Sequence, residues 1–163
     1  MQNERIGWDC DPNADERGRF TVEDGQYVLT VWEVIAGTDG RFIQKSKNGD
    51  DKLNIKFGIN GQGGTKWLFH NITFIPKGKS GHFIAVHAMK TLGISVDKGR
   101  VNLNPAELLG KVCRAEISTE EYPGPTGGKR YKNVIREMLY PMPDDTPELP
   151  TKAEAKKEEE VPF

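Results

Sequence analysis

The sequence predicts a mainly β domain: a small five-stranded barrel with one helix between its third and fourth strands, followed by an acidic tail. Three observations carry this expectation. β-Branched, aromatic and aliphatic residues gather in five short runs between residues 26 and 140, and one run alternates strictly. The apolar residues between the third and fourth runs have helical spacing instead. Beyond Tyr140 the apolar pattern stops.

Residues 1–24 read as a loose polar arm, with Ile6, Trp8, Phe20 and Val22 as its large apolar anchors. QYVLTVWEVIA (26–36) reads as a buried strand, with Trp32 in the core. GTDGRFIQKSKNGDD (37–51) is a long loop rich in Gly, Asp and Lys. In KLNIKFGI (52–59), Leu53, Ile55, Phe57 and Ile59 take one face while Lys52, Asn54 and Lys56 take the other: an apolar back and a basic front. GQGG (61–64) is a turn, since glycine accepts positive φ without penalty. TKWLFHNITFI (65–75) is the third strand, bounded by Pro76. SGHFIAVHAMKTLG (80–93) fits about three helical turns, with Ser80 as N-cap and Gly93 as the stop. NPAELLG (104–110) adds a short helical turn capped by Asn104, with Pro105 in its first position. KVCRAEIS (111–118) and YKNVIREMLY (131–140) are the last two strands, joined by a second long loop at 119–130. The proline-rich stretch 141–163 cannot bury enough apolar surface to offset its ordering entropy and is expected to be disordered.

The order β-β-β-α-β-β is the connectivity of the oligonucleotide-binding (OB) barrel, which binds nucleic acid across its second and third strands between the 1–2 and 4–5 loops. The two longest loops of this sequence fall in those places, with the basic-faced strand between them. A generic five-stranded sheet packed on a helix shares the same strand count.

A length of 163 residues suits one domain. The net charge of −1 conceals a division. Residues 1–24 hold seven acids and three bases (−4), residues 25–140 ten acids and seventeen bases (+7), and residues 141–163 seven acids and three bases (−4). A basic body between acidic ends points to a polyanionic partner. No apolar run is long enough to span a membrane, and the amino terminus shows no signal-peptide pattern, so a cytoplasmic protein without a membrane partner is expected. Cys10 and Cys113 match no metal spacing and read as unpaired thiols. His70, His82 and His87 form no HExxH, so no metal site is expected. GINGQGG and GPTGGK miss the phosphate-loop pattern, and no catalytic constellation or cofactor site stands out; a non-enzyme is expected.

A sequence-tolerant binder of single strands needs cations for the phosphates and rings for the bases. The first loop offers Arg41, Phe42, Lys45 and Lys47; the second strand Lys52 and Lys56; the third Lys66, Trp67, Phe69 and His70. The second loop and fifth strand offer Tyr122, Lys129, Arg130, Tyr131 and Lys132. Trp67 and Phe69 share a strand face and are core if that face is the inner one. Tyr131 either stacks on a base or closes the barrel end.

The runs DGQYVLTVWEV, KLNIKFGI, KWLFHNITF, the helix ending KTLGI, and GKVCRAEISTEEYPGPTGGKRYKNVI together resemble the single-stranded DNA-binding proteins of bacteriophage replication and recombination clusters, over roughly residues 24–140. The resemblance implies an OB barrel that coats single strands inside a bacterial host. The ending is similar to the tip of bacterial single-stranded DNA-binding proteins: Glu158, Glu159 and Glu160 match its acidic run, and Val161, Pro162 and Phe163 its hydrophobic hook. That similarity implies docking on replication, recombination and repair enzymes; it leaves self-association on DNA open. Two other functions fit the same features: an adaptor whose barrel binds a replication protein, and an RNA-binding or strand-annealing protein.

Overall fold

The computed structural model describes residues 4–10, 12, 21–125 and 127–150. Its elements are β1 (Gly25–Ile35), β2 (Gln44–Lys45), β3 (Asp51–Ile59), β4 (Trp67–Thr73), helix α1 (His82–Thr91), a 3-10 turn (Pro105–Leu108), β5 (Val112–Pro123) and β6 (Lys129–Leu139). The chain is therefore mainly β, with six strands in one antiparallel sheet and one α-helix among the described residues. The expectation of five strands is corrected by β2, which is only two residues long. Its partner residues are Asp51 and Lys52, and a turn closed by Ser46 and Gly49 joins the two strands. A strand that short carries no apolar alternation by which to recognise it.

β3 pairs with both β1 and β4, and β1 pairs on its other side with β5, which continues to β6. Lys52 is in register with both Gln44 and Thr73, so β2 lies on the β1 side of β3 and β4 on the other. The sheet curls until its edge strands β4 and β6 approach each other, but no ladder joins them, so the barrel is not closed. α1 lies against both edges at one end of this gap, and groove-lining side chains occupy it further along.

The alternation in β3 sends Leu53, Ile55, Phe57 and Ile59 into the core, where they meet Leu29, Val31 and Val34 of β1, Cys113, Ala115 and Ile117 of β5, and Ala85, Ala88 and Met89 of α1. Burial pushes the Cys113 thiol up to about 12. α1 starts at Gly81 in the left-handed region (φ 90), not at a Ser80 cap. It ends where Gly93 (φ 76) lets Ile94 N–H reach Met89 O at 2.8 Å. Asn104 caps the 3-10 turn through Ala106 N–H, with Pro105 opening it. No helix among the described residues is long and apolar enough to cross a membrane.

Three further stretches differ from expectation. Residues 119–123 and 129–130 are not loop: they extend β5 and β6 as a paired hairpin arm turned by 124–128. Thr21 and Val22, assigned to the loose arm, are buried; Val22 N–H and C=O both bond the Asn133 side chain. Residues 141–150, expected to be disordered, form a strap on the outer face of the sheet. Arg114 grips Asp145 at 2.7 and 2.9 Å, Asn60 Nδ2 reaches Thr146 O, Trp32 Nε1 reaches Glu148 O, and Glu148 N–H meets Thr30 Oγ1. The strap is fixed by hydrogen bonds rather than apolar burial, so an argument from hydrophobic content missed it. The expected interaction tip, Glu158–Phe163, lies outside the described residues.

Candidate nucleic-acid interface

β4 alternates Leu68 and Ile72 inward against Trp67, Phe69 and Asn71 outward. His70 shares the inward parity, with its ring 6.4 Å from Phe57, and burial lowers its pKa. It belongs to the interior rather than to the outer face. Opposite the outward residues of β4 stands the hairpin arm, where Tyr122 is in register with Arg130 and Glu121 with Tyr131. Gly127 (φ 82) allows the turn that brings Gly124 N–H to Gly128 O at 2.7 Å.

Between β4 and this arm runs a groove of about 450 Å³. Lys66, Trp67, Phe69, Tyr122, Arg130, Tyr131 and Lys132 line it, together with Thr65, Leu68, Asn71, Asn133 and Val134. Among the described residues that line it, no acid is present. Trp67 is 38 %, Phe69 53 % and Tyr122 40 % exposed, so three large rings face solvent together. The Lys132 ammonium sits 5.5 Å from the Tyr122 ring centre, within cation–π range. Lys66 Nζ donates to Thr21 O at 3.0 Å, which ties the groove's rim to the residues before β1.

Seven of the fifteen residues offered for strand binding are thus brought together, and eight, His70 among them, do not line the groove. Arg41 and Phe42 lie in the loop after β1, Lys45 pairs with Asp51 on the β2–β3 hairpin, and Lys47 occupies its turn. Lys52 lies on β3 between β2 and β4. Lys129 sits 3.9 Å from Glu121, an exposed pair of small energetic weight. Lys56 departs furthest from expectation: its strand face is the outer one, but the side chain is only 8 % exposed, with Nζ 4.5 Å from the Trp67 ring centre and 5.9 Å from that of Trp32.

Trp32 was expected in the core. Alternation after the inward Leu29 and Val31 sets it on the outer face instead, against Gly58 and 6.3 Å from Trp67, and a bulge between Val31 and Glu33 then returns Val34 to the core. The strap then covers it. Arg114 and Met142 N–H hold the Asp145 carboxyl well below its ordinary value, at about 2. Glu148 Oε2 accepts Gly61 N–H at 3.0 Å, while its buried Oε1 has no partner among the described residues. Asn71 also escaped the sequence reading, although its parity with Trp67 and Phe69 on β4 marks it. No family model matches the chain, and no curated protein matches it.

Proposed function

We propose that this chain is a non-catalytic, sequence-tolerant single-stranded DNA-binding protein of OB type, acting in phage replication or recombination within the bacterial cytoplasm. On this reading, the segment Glu158–Phe163 recruits replication, recombination and repair enzymes. The observation that carries the proposal is the acid-free groove, in which exposed rings from β4 and the hairpin arm stand beside Lys66, Arg130 and Lys132. Rings offer sequence-blind stacking and cations offer phosphate contacts, the two requirements of single-strand binding. The topology supports the OB reading: β1 pairs with β3 and β5, the helix falls between β4 and β5, and β4 and β6 are the facing edges. OB barrels are partly open, which accommodates the missing ladder.

Tryptophan fluorescence titrated with oligo-dT, oligo-U and a duplex of equal length tests the proposal. Oligo-dT is expected to quench emission, with a site of ~4–16 nucleotides per barrel. Trp67→Leu is expected to remove most of the quenching and to weaken binding by roughly 1–3 kcal/mol, the range for one base–ring stack. Tighter binding of oligo-U would favour the RNA reading. Absence of any complex with oligo-dT at low ionic strength would sink the proposal and leave the adaptor reading.

A further inference from the structure

We propose that a second surface, beside α1 and separate from the groove, docks the segment Glu158–Phe163 of a neighbouring copy. A cavity of about 420 Å³ opens between α1 and the chain on either side of it. Phe74, Met89 and Val101 give it apolar walls, and the exposed Lys77, Lys90 and Arg100 stand around it. Among the described residues that line it, no acid offsets these cations. His82 also lines it and bonds Ile75 O through Nδ1 at 2.8 Å, so the neutral ring carries its proton there and Nε2 is the remaining nitrogen.

Like charges gathered around an apolar floor favour a ligand that is hydrophobic at one end and anionic along the other. Glu158, Glu159 and Glu160 followed by Val161, Pro162 and Phe163 have that chemistry within six consecutive residues. The Phe163 ring would fill the apolar space while the three carboxylates lie among Lys77, Lys90 and Arg100. The strap is held on the outer face of the sheet at Thr30, Trp32 and Gly61, whereas α1 packs its buried residues into the core side. Phe74 of the cavity wall bonds Asp51 O at the start of β3, whereas the strap bonds Gly61 N–H beyond its end. A chain leaving the strap therefore starts about a strand's length from its own cavity, and a neighbour's cavity is the one proposed. The cavity and the groove share no lining residue, so one copy can hold a strand and a neighbour's tail together. The proposal does not rest on the strand-binding reading, and its test uses no nucleic acid.

The test cross-links the full-length chain with a zero-length carbodiimide at low ionic strength, using equal parts of ¹⁴N- and ¹⁵N-labelled protein. Mass spectrometry is expected to find mixed-isotope links joining Glu158, Glu159 or Glu160 to Lys77 or Lys90. Phe163→Asp is expected to lower their yield roughly tenfold, as loss of a buried aromatic anchor does. Arg100→Glu, which removes no linkable amine, is expected to lower it as well, with circular dichroism checking that this variant folds. Links that are spread over Lys45, Lys47 and Lys98, that stay within one molecule, that fall on Lys66 and Lys132, or that are indifferent to Phe163→Asp would each overturn the proposal.

Discussion

Gly58 shows how a single residue shapes the outer face beside the groove. A Cβ at this position would lie 1.8 Å from Cε2 of the Trp32 ring and within 2.3 Å of two more of its atoms. The ring is rigid and itself held by Glu148 O, so it cannot yield as the end of a flexible side chain would. Gly58→Ala is therefore expected to destabilise the protein by about 1–3 kcal/mol, the usual penalty for overpacking. It should also shift tryptophan emission, because the displaced Trp32 ring sits 6.3 Å from Trp67. Denaturant unfolding and the emission spectrum together check this; an unchanged midpoint would mean that the ring does not rest on Gly58. The lysine beneath the same rings explains a misreading. Alternation places Lys56 on the outer face, and that much was legible. What covers an outer face is not written in the strand itself: here it is two tryptophans from the strands on either side.

Among the elements, the strap is the one whose stability depends most openly on pH. Asp145 accepts two bonds from Arg114 and one from Met142 N–H, which depress its pKa to about 2. A carboxylate depressed in the folded state stabilises above its unfolded value, ~3.9. That contribution fades as pH falls toward the folded value. Asp145→Asn should therefore lower the melting temperature at neutral pH by several degrees, and the gap from wild type should close between about pH 4 and pH 2. Thermal melts across that range check it; a gap that persisted at pH 2 would exclude the Asp145 charge as its source. The strap was illegible for the same reason that it titrates: its partners are polar groups scattered over β1, β5 and the turn after β3, and no periodicity records them. The hairpin arm was hidden differently. Glu120, Glu121, Tyr122, Lys129 and Arg130 are exposed, so no alternation of apolar with polar residues marks a strand there. β3 was legible because one face is core, and the end of α1 was legible because Gly93 stops it.

At the scale of the whole molecule, the question is whether the basic body or the groove attracts a strand. The segment 25–140 carries +7 between ends of −4 each, and a general field from that charge treats every lysine alike. A groove does not. Each phosphate neutralised on a single strand contributes about −0.7 to the slope of log K against log salt. Arg130 and Lys132 line the groove, while Lys45 and Lys47 lie outside it on the β2–β3 hairpin. Alanine at both members of either pair removes the same two charges from the body. If the groove holds the strand, Arg130→Ala with Lys132→Ala should flatten the oligo-dT salt slope by roughly 1.4, two phosphate contacts' worth. Lys45→Ala with Lys47→Ala should leave the slope close to wild type and change affinity only at low salt, where charges act beyond ~10 Å. Equal flattening by both pairs would assign binding to the body's overall field. Flattening by the Lys45 and Lys47 pair alone would move the interface to the segment between β1 and β3, to which three of the nine sequence-derived cations had pointed. Only the first outcome makes the juxtaposition of β4 with the hairpin arm the feature that turns a lysine-rich surface into a site.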